Sequence, residues 1–258
     1  MKLFLYISFL LSLLFAPFIR PHYLVPDEPG SVRSTWAKLV KDNGPTIKYE
    51  GYEVSFDENM HIPRYVAYCL KAEEVVDGPR PSGFQFQMDV DCGLVQADVW
   101  DYKGTGWSRG HMAPAADFKW SLKAYGDTFY YTNCCPQDQA MNNGSWNVLE
   151  NHVRRLARKY GQIYMVTGPV VGTNRFGKIG EHQVVVPDGF FKALLVHRDN
   201  RFYAIGFYMD NVPDKQSLRN SYLTIDNLER LTGYDFFPFL EDSVENTVEV
   251  DVDTSVWF

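Results

Sequence analysis

Cysteine is scarce in this 258-residue sequence, with four in all, and no Cys-x-x-Cys spacing occurs. That excludes a zinc knuckle and a thioredoxin-type redox pair. Histidine is scarce too, at six, and of these only His111 sits in a dense polar cluster. A multi-histidine zinc site has no support. Positive charge is in deficit, because 25 Lys and Arg face 32 Asp and Glu for a net charge of −7. A uniformly cationic surface for polyanions is thereby excluded, although a local cationic groove with a metal ion is not. Internal repeats and low-complexity tracts are absent, which argues against a solenoid or a disordered chain. Long apolar runs are limited to one, residues 3–19, between Lys2 and Arg20.

That run makes residues 1–20 a secretory signal or a short membrane anchor outside the fold, since a comfortable span needs about 20 apolar residues. The predicted location is outside the cytoplasm: secreted, periplasmic, or held at a membrane through residues 3–19. Export makes disulfides possible, and Cys69, Cys92, Cys134 and Cys135 allow three full connectivities. Direct pairing of the adjacent Cys134 and Cys135 would strain the backbone. Buried free thiols remain the alternative.

What the sequence does have is apolar and aromatic mass, 45% and 16%, enough for a sizeable core in one or two domains. Residues 21–45, with Pro21, Pro26, Pro29 and Gly30, read as a linker. The globular part is expected over 46–245, with an acidic C-terminal tail at 246–258 that ends as an edge strand or a frayed end. Strands are predicted at Tyr49–Phe56, Arg64–Leu70, Thr128–Asn133, Ile163–Gly168, Val184–Pro187, Phe190–Val196 and Phe202–Met209. Trp146, Leu149, Val153, Leu156 and Tyr160 step by three and four, which marks one face of a helix stopped by Gly161. Asn147, Glu150, Arg154 and Arg158 occupy a different stripe. A second helix is expected over Ser217–Thr232. Strands and helices mix without a regular βαβ rhythm, so the fold class is α+β with a mainly antiparallel sheet flanked by helices.

Two clusters carry chemistry. In Trp107-Ser-Arg-Gly-His-Met-Ala-Pro, extended backbone puts Arg109 and His111 on one face. A guanidinium grips two phosphate oxygens at once, and a neutral imidazole accepts a proton from water near neutrality. Gly110 allows close approach of backbone. In Thr132-Asn-Cys-Cys-Pro-Gln-Asp-Gln-Ala-Met-Asn-Asn-Gly-Ser-Trp-Asn-Val-Leu-Glu, Asn133 closes a predicted strand, Asn142 opens the helix, and Glu150 lies about 12 Å farther along if the segment is helical. Mg²⁺ prefers oxygen ligands and keeps several waters. One carboxamide oxygen suits it, with a carboxylate on its water shell. Taken singly, Asn142 is better read as a helix cap and Glu150 as a solvated helix residue.

As an ordered set, Arg109-Gly-His111, Asn133, Pro136-Gln137, and Asn142 with Trp146 and Glu150 resembles the DNA/RNA non-specific endonuclease family of the ββα-metal class. The similarity continues through Val166-Thr-Gly-Pro, Pro187 with Phe190-Phe-Lys192, and Thr232-Gly-Tyr-Asp-Phe-Phe-Pro, over roughly residues 46–245. The resemblance implies an endonuclease on DNA and RNA that leaves 5′-phosphate ends and uses Mg²⁺, with Mn²⁺ as a substitute. It implies His111 as general base, Asn142 as direct metal ligand, Glu150 as holder of metal-bound waters, Arg109 as a phosphate grip and Asn133 as a supporting polar residue. Arg80 matches an upstream phosphate-binding Arg, and homodimers are common in the family. Ser108 departs from the pattern, standing where the family usually has Asp. A non-catalytic nucleic-acid-binding member of the fold and a phosphodiesterase on small nucleotides are the alternatives at this stage.

Overall fold

The computed structural model describes residues 39–42 and 44–258. The predicted leader at 1–20 and most of the predicted linker lie outside these residues. In chain order the strands and helices begin with β1 (Thr46–Lys48), β2 (Glu53–Asp57), β3 (Ile62–Lys71), α1 (Val99–Tyr102), β4 (Ser108–His111), α2 (Leu122–Asp127) and β5 (Cys134–Gln137). Next come α3 (Gln139–Met141), α4 (Asn147–Tyr160), β6 (Gln162–Val170), β7 (Lys178–Ile179), β8 (Val184–Val185), β9 (Gly189–Arg198) and β10 (Arg201–Asp210). The chain closes with α5 (Leu218–Ser221), β11 (Tyr222–Leu223), α6 (Ile225–Thr232), α7 (Asp242–Val250) and α8 (Thr254–Trp257).

Seven strands form one antiparallel sheet in the order β1-β2-β3-β6-β9-β10-β11. The period-two rule sorts their side chains into two cores. Val66, Tyr68, Leu70, Leu194 and Val196 face α4. Tyr65, Ala67, Ala193 and Leu195 face Ile225 and Leu228 of α6. The fold is therefore α+β in three layers, as expected. The same alternation turns Lys192, from the middle of β9, toward α4 and into the first core. There its ammonium lies 4.7 Å from the centre of the Trp146 ring and 3.2 Å from Thr167 Oγ1.

Several local expectations are corrected. The single strand over Tyr49–Phe56 is a hairpin, with β1 and β2 joined by a turn in which Tyr49 N–H donates to Tyr52 O. Gly51 serves that turn, since a Cβ there would lie 2.4 Å from the Phe118 ring. Thr128–Asn133 is buried but not a strand: it closes α2 and winds a 3₁₀ turn at Tyr131–Asn133 before β5. Ser217–Thr232 is two helices split by β11, because Tyr222 and Leu223 pair with the edge strand β10. Leu39 and Val40 belong to the second core and bond to residues 235–237, so the chain joins the fold before Thr46. All four cysteines are free thiols, with Cys134 and Cys135 buried in β5, and no pairing forms.

The C-terminal segment is helical and packed rather than strand-like or frayed. Val256 and Trp257 are buried, Tyr160 Oη donates to Val256 O at 2.6 Å, and His152 Nε2 lies 2.7 Å from Trp257 O. The segment thus clamps the back of α4. Trp257→Ala is expected to cost about 3–5 kcal/mol, read as a lowered denaturant midpoint with an unchanged slope.

Acidity concentrates where α7 meets α6. Carboxylates of Asp226, Glu229 and Glu249 lie within 4.8 Å of one another. Burial, and then the charges of Glu229, Glu245, Asp226 and Asp235, push the Glu249 carboxyl up to about 8. The folded state thus holds a proton that the unfolded chain releases at the ordinary Glu value. Stability is expected to fall as pH rises through this window, from the usual carboxylate range to about 8. Thermal midpoints measured across pH 5–9 should decline for the native chain and much less for Glu249→Gln.

Candidate active site

Outside the main sheet, β4 and β5 form a two-stranded unit with Ser108 opposite Gln137, Arg109 opposite Pro136, Gly110 opposite Cys135 and His111 opposite Cys134. Glycine is required at 110, because a Cβ would meet the buried Gln137 amide at 1.9 Å. This close approach fixes the strand whose other face presents Arg109 and His111. Asn133, fully buried, locks the exit of that strand. Its Oδ1 accepts from Ala113 N–H at 2.8 Å, and its Nδ2 donates to Ala113 O and Thr128 O, both at 2.9 Å. Both amide hydrogens are spent on backbone, so Asn133 holds the loop after His111 and does not reach substrate.

The His111 ring sits between Phe86 and Phe129, with centroid distances of 4.7 and 5.1 Å. Its Nε2 is buried without a hydrogen-bond partner, which leaves Nδ1 as the nitrogen open to a ligand. Burial, then the nearby positive charges of Arg80 and Arg109, pull the imidazole down to about 4. His111 is therefore neutral at physiological pH, the state that a proton acceptor needs. Arg109 is exposed, lies 5.3 Å over the Phe86 ring, and has no carboxylate partner among the described residues.

The third element is the helix. Asp138 caps α3 by accepting from Ala140 and Met141 N–H, both at 2.9 Å. The chain then winds a π-helical turn over Asn142–Trp146 before α4 begins. Asn142 thus lies in the first turns of one continuous helical segment, not at its cap. Its side chain lines an open cavity of about 450 Å³ together with Phe86, Tyr102, Trp107, Ser108 and Arg109. Among the described residues no group bonds its carboxamide.

Glu150 points from α4 into a set of charges. Burial raises its carboxyl, Lys192 opposes this, Asp117 adds to it, and Arg154 and Arg80 oppose it again. Lys192 is shifted down by burial. Among the described residues Glu150 has no hydrogen-bond partner. Beside it, Arg154 donates to the buried Asp117 carboxylate at 2.6 Å, and Tyr68 Oη donates to the other oxygen at 2.8 Å. The network around Glu150 was not anticipated from the sequence. Arg154, four residues on from Glu150 along the same stripe, was the one legible member. Asp117 and Lys192 come from distant segments.

The structure thus brings Ser108, Arg109 and Asn142 to one cavity, and His111 packs against Phe86 of its lining. Arg80 and Glu150 interact electrostatically on the adjoining side. Asn133 lies beneath as a brace. A separate group, Asp98, Asp101 and His182, brings ligand atoms within 4.8 Å of one another. His182 Nδ1 there lies 2.8 Å from Asp101 Oδ2, a bond that fastens the 180–183 loop to α1.

Known proteins place these residues in context. The model of the DNA/RNA non-specific endonuclease family matches residues 37–243. The human mitochondrial nuclease EXOG is 31% identical over 221 residues, 79% of this chain and 60% of that protein. The chain thus spans about three fifths of the length of the EXOG relatives it matches. Bovine mitochondrial endonuclease G is 38% identical over 200 residues, covering 72% of this chain and 67% of that protein. A nuclease of Nostoc sp. is 28% identical over 253 residues and covers 92% and 88%. The solved complex of EndoG with EndoGI contains a chain that superposes with a TM-score of 0.75 at 26% identity, over 85% of this chain and 96% of that one. With the model match extending across the sheet, the β4–β5 pair and α4 alike, this chain belongs to the DNA/RNA non-specific endonuclease family.

Proposed function

We propose that the protein is a divalent-metal-dependent endonuclease that hydrolyses phosphodiester bonds of DNA and RNA without sequence preference. The carrying observation is a neutral, half-buried imidazole with one open nitrogen near a guanidinium that has no carboxylate partner among the described residues, with the Asn142 carboxamide in the same cavity as that guanidinium. The donor set suits a hydrated dication. Asn142 and Glu150 both leave side-chain oxygens unbonded by protein, and hard oxygen donors with room for water are what Mg²⁺ prefers. Asn142 would hold the ion directly and Glu150 its waters, with Mn²⁺ as a substitute. When bound, the cation supplies Lewis-acid stabilisation of charge on the phosphate and leaving oxygen.

The chain's own residues do the rest. Arg109 and Arg80 hold the phosphate, and its negative charge offsets the two guanidiniums that depress His111. Binding therefore lifts the imidazole toward its working range. His111 Nδ1 takes a proton from water as the oxygen attacks phosphorus in line. The P–O3′ bond breaks and the leaving 3′ oxygen takes a proton from solvent, giving a 5′-phosphate and a 3′-hydroxyl. Contacts to phosphate carry no base information, so sequence preference is weak. Export, by a cleaved leader or as an anchored form through residues 3–19, is part of the proposal.

A plasmid-nicking assay on the chain from Leu39 tests this reading. Conversion to nicked and linear forms is expected in Mg²⁺ or Mn²⁺, and none in chelator. Equal nicking in chelator would remove the metal from the proposal. No nicking under any condition would favour a binding protein of the same fold.

A further inference from the structure

On the Glu150 side of α4 lies a second concavity of about 500 Å³, lined by Arg80, Lys119, Asn147, Arg154, Arg155 and Arg158 among others. Its charge is lopsided for a chain of net −7. Arg154 spends part of its charge on the buried Asp117, and Arg158 pairs with the exposed Asp77 at 2.6 Å. The other three cations have no carboxylate partner among the described residues. Lys119 Nζ donates only to Gly78 O at 2.8 Å, Arg155 lies 3.2 Å from His152 Nδ1, and Arg80 carries no bond. Structural ion pairing does not account for them.

Arg80 links this groove to the site: it lines the groove while acting electrostatically on both His111 and Glu150. Asn147, also in its wall, is five positions beyond Asn142, which lines the first cavity, or about 7 Å along a helix. We propose that this groove carries the sugar-phosphate backbone of the strand flanking the scissile bond, with Lys119 and Arg155 as phosphate contacts outside the reacting centre. The proposal rests on the nuclease reading for its ligand class. An extended polyanion suits a groove in which Arg155 of α4 faces Arg80 and Lys119 from other segments, with the Asn147 amide available to donate to phosphate or sugar oxygens.

The test is a Lys119→Glu/Arg155→Glu double variant, which spares Arg80, Arg109, His111, Asn142, Glu150 and Arg154. Binding of a labelled single strand of about 20 nucleotides is followed by anisotropy in chelator across a salt series. The expected result is affinity weaker by on the order of tenfold near physiological salt, and a log–log salt slope shallower by about 1.4. Hydrolysis of a p-nitrophenyl nucleotide diester, too short to enter the groove, should keep its native kcat/KM in Mg²⁺. Unchanged strand affinity and slope would overturn the proposal. So would an equal loss on the short diester in a variant of native thermal midpoint. Lys119→Gln/Arg155→Gln should give an intermediate binding loss, which separates charge from misfolding. Binding in chelator judges the groove, whereas failure of the native chain on the short diester would count against the reaction.

Discussion

His111→Ala is expected to slow phosphodiester cleavage by about 10²–10⁴-fold, the range for loss of a positioned general base. Strand binding in chelator should be unchanged. The ring is held by Phe86 and Phe129 and by packing, not by hydrogen bonds, so its removal takes away basicity while the Asn133 brace stays in place. The pH profile gives a second, independent reading. The free imidazole is pulled down to about 4 by burial, Arg80 and Arg109. A base acts when unprotonated, so kcat/KM should climb through that region and level off above it. Arg109→Ala removes one of the depressing charges, and the acid limb should then move to higher pH while the plateau drops. Near-native cleavage by His111→Ala, or a limb that ignores Arg109, would transfer the base role to another group.

Asn142→Ala is expected to lower the rate by about 10²–10³-fold, because several kcal/mol of transition-state charge stabilisation go with the cation. The Mg²⁺ concentration for half-maximal rate should rise together with it. Glu150→Gln should cost less, about 10–100-fold, if the residue acts through the ion's waters as proposed. Asn142→Asp separates ligation from space-filling, since it keeps volume and adds a hard oxygen donor; its Mg²⁺ requirement should be no weaker than the native one. A native Mg²⁺ titration in Asn142→Ala would place the ion elsewhere, with the Asp98, Asp101 and His182 group the next candidate.

Legibility in the sequence followed the range of the interactions. The helix from Trp146 to Tyr160 was readable because Leu149, Val153 and Leu156 repeat at helical spacing and are buried. The long strands β3, β6, β9 and β10 were readable for the same local reason. Thr128–Asn133 misled because apolar content signals burial, not period. What shapes that segment is Asn133 bonding to Thr128 O and to Ala113, twenty positions away. The Val-Glu-Val-Asp-Val-Asp alternation suggested a strand, yet docking of Val248 and Trp257 decided for helices. At the site, ordered motifs singled out Arg109, His111, Asn133, Asn142 and Glu150. The resemblance marked Asn133 as supporting, but not that its amide is spent on Ala113 and Thr128 instead of facing the cavity. That distinction depends on who bonds to whom across the fold, as does the link from Lys192 and Asp117 to Glu150.

The π-helical turn between Asn142 and Glu150 has a consequence for how this stretch tolerates length change. A regular helix advances about 100° per residue, so one residue gained or lost there re-aims everything before it by more than a quarter turn. Trimming the bulge to a tidy α-helix would leave Glu150 anchored by Leu149 and Val153 while Asn142 swung off the cavity. The irregular turn sets the angular phase between Asn142 and Glu150, and smoothing it would re-aim one against the other without changing either side chain.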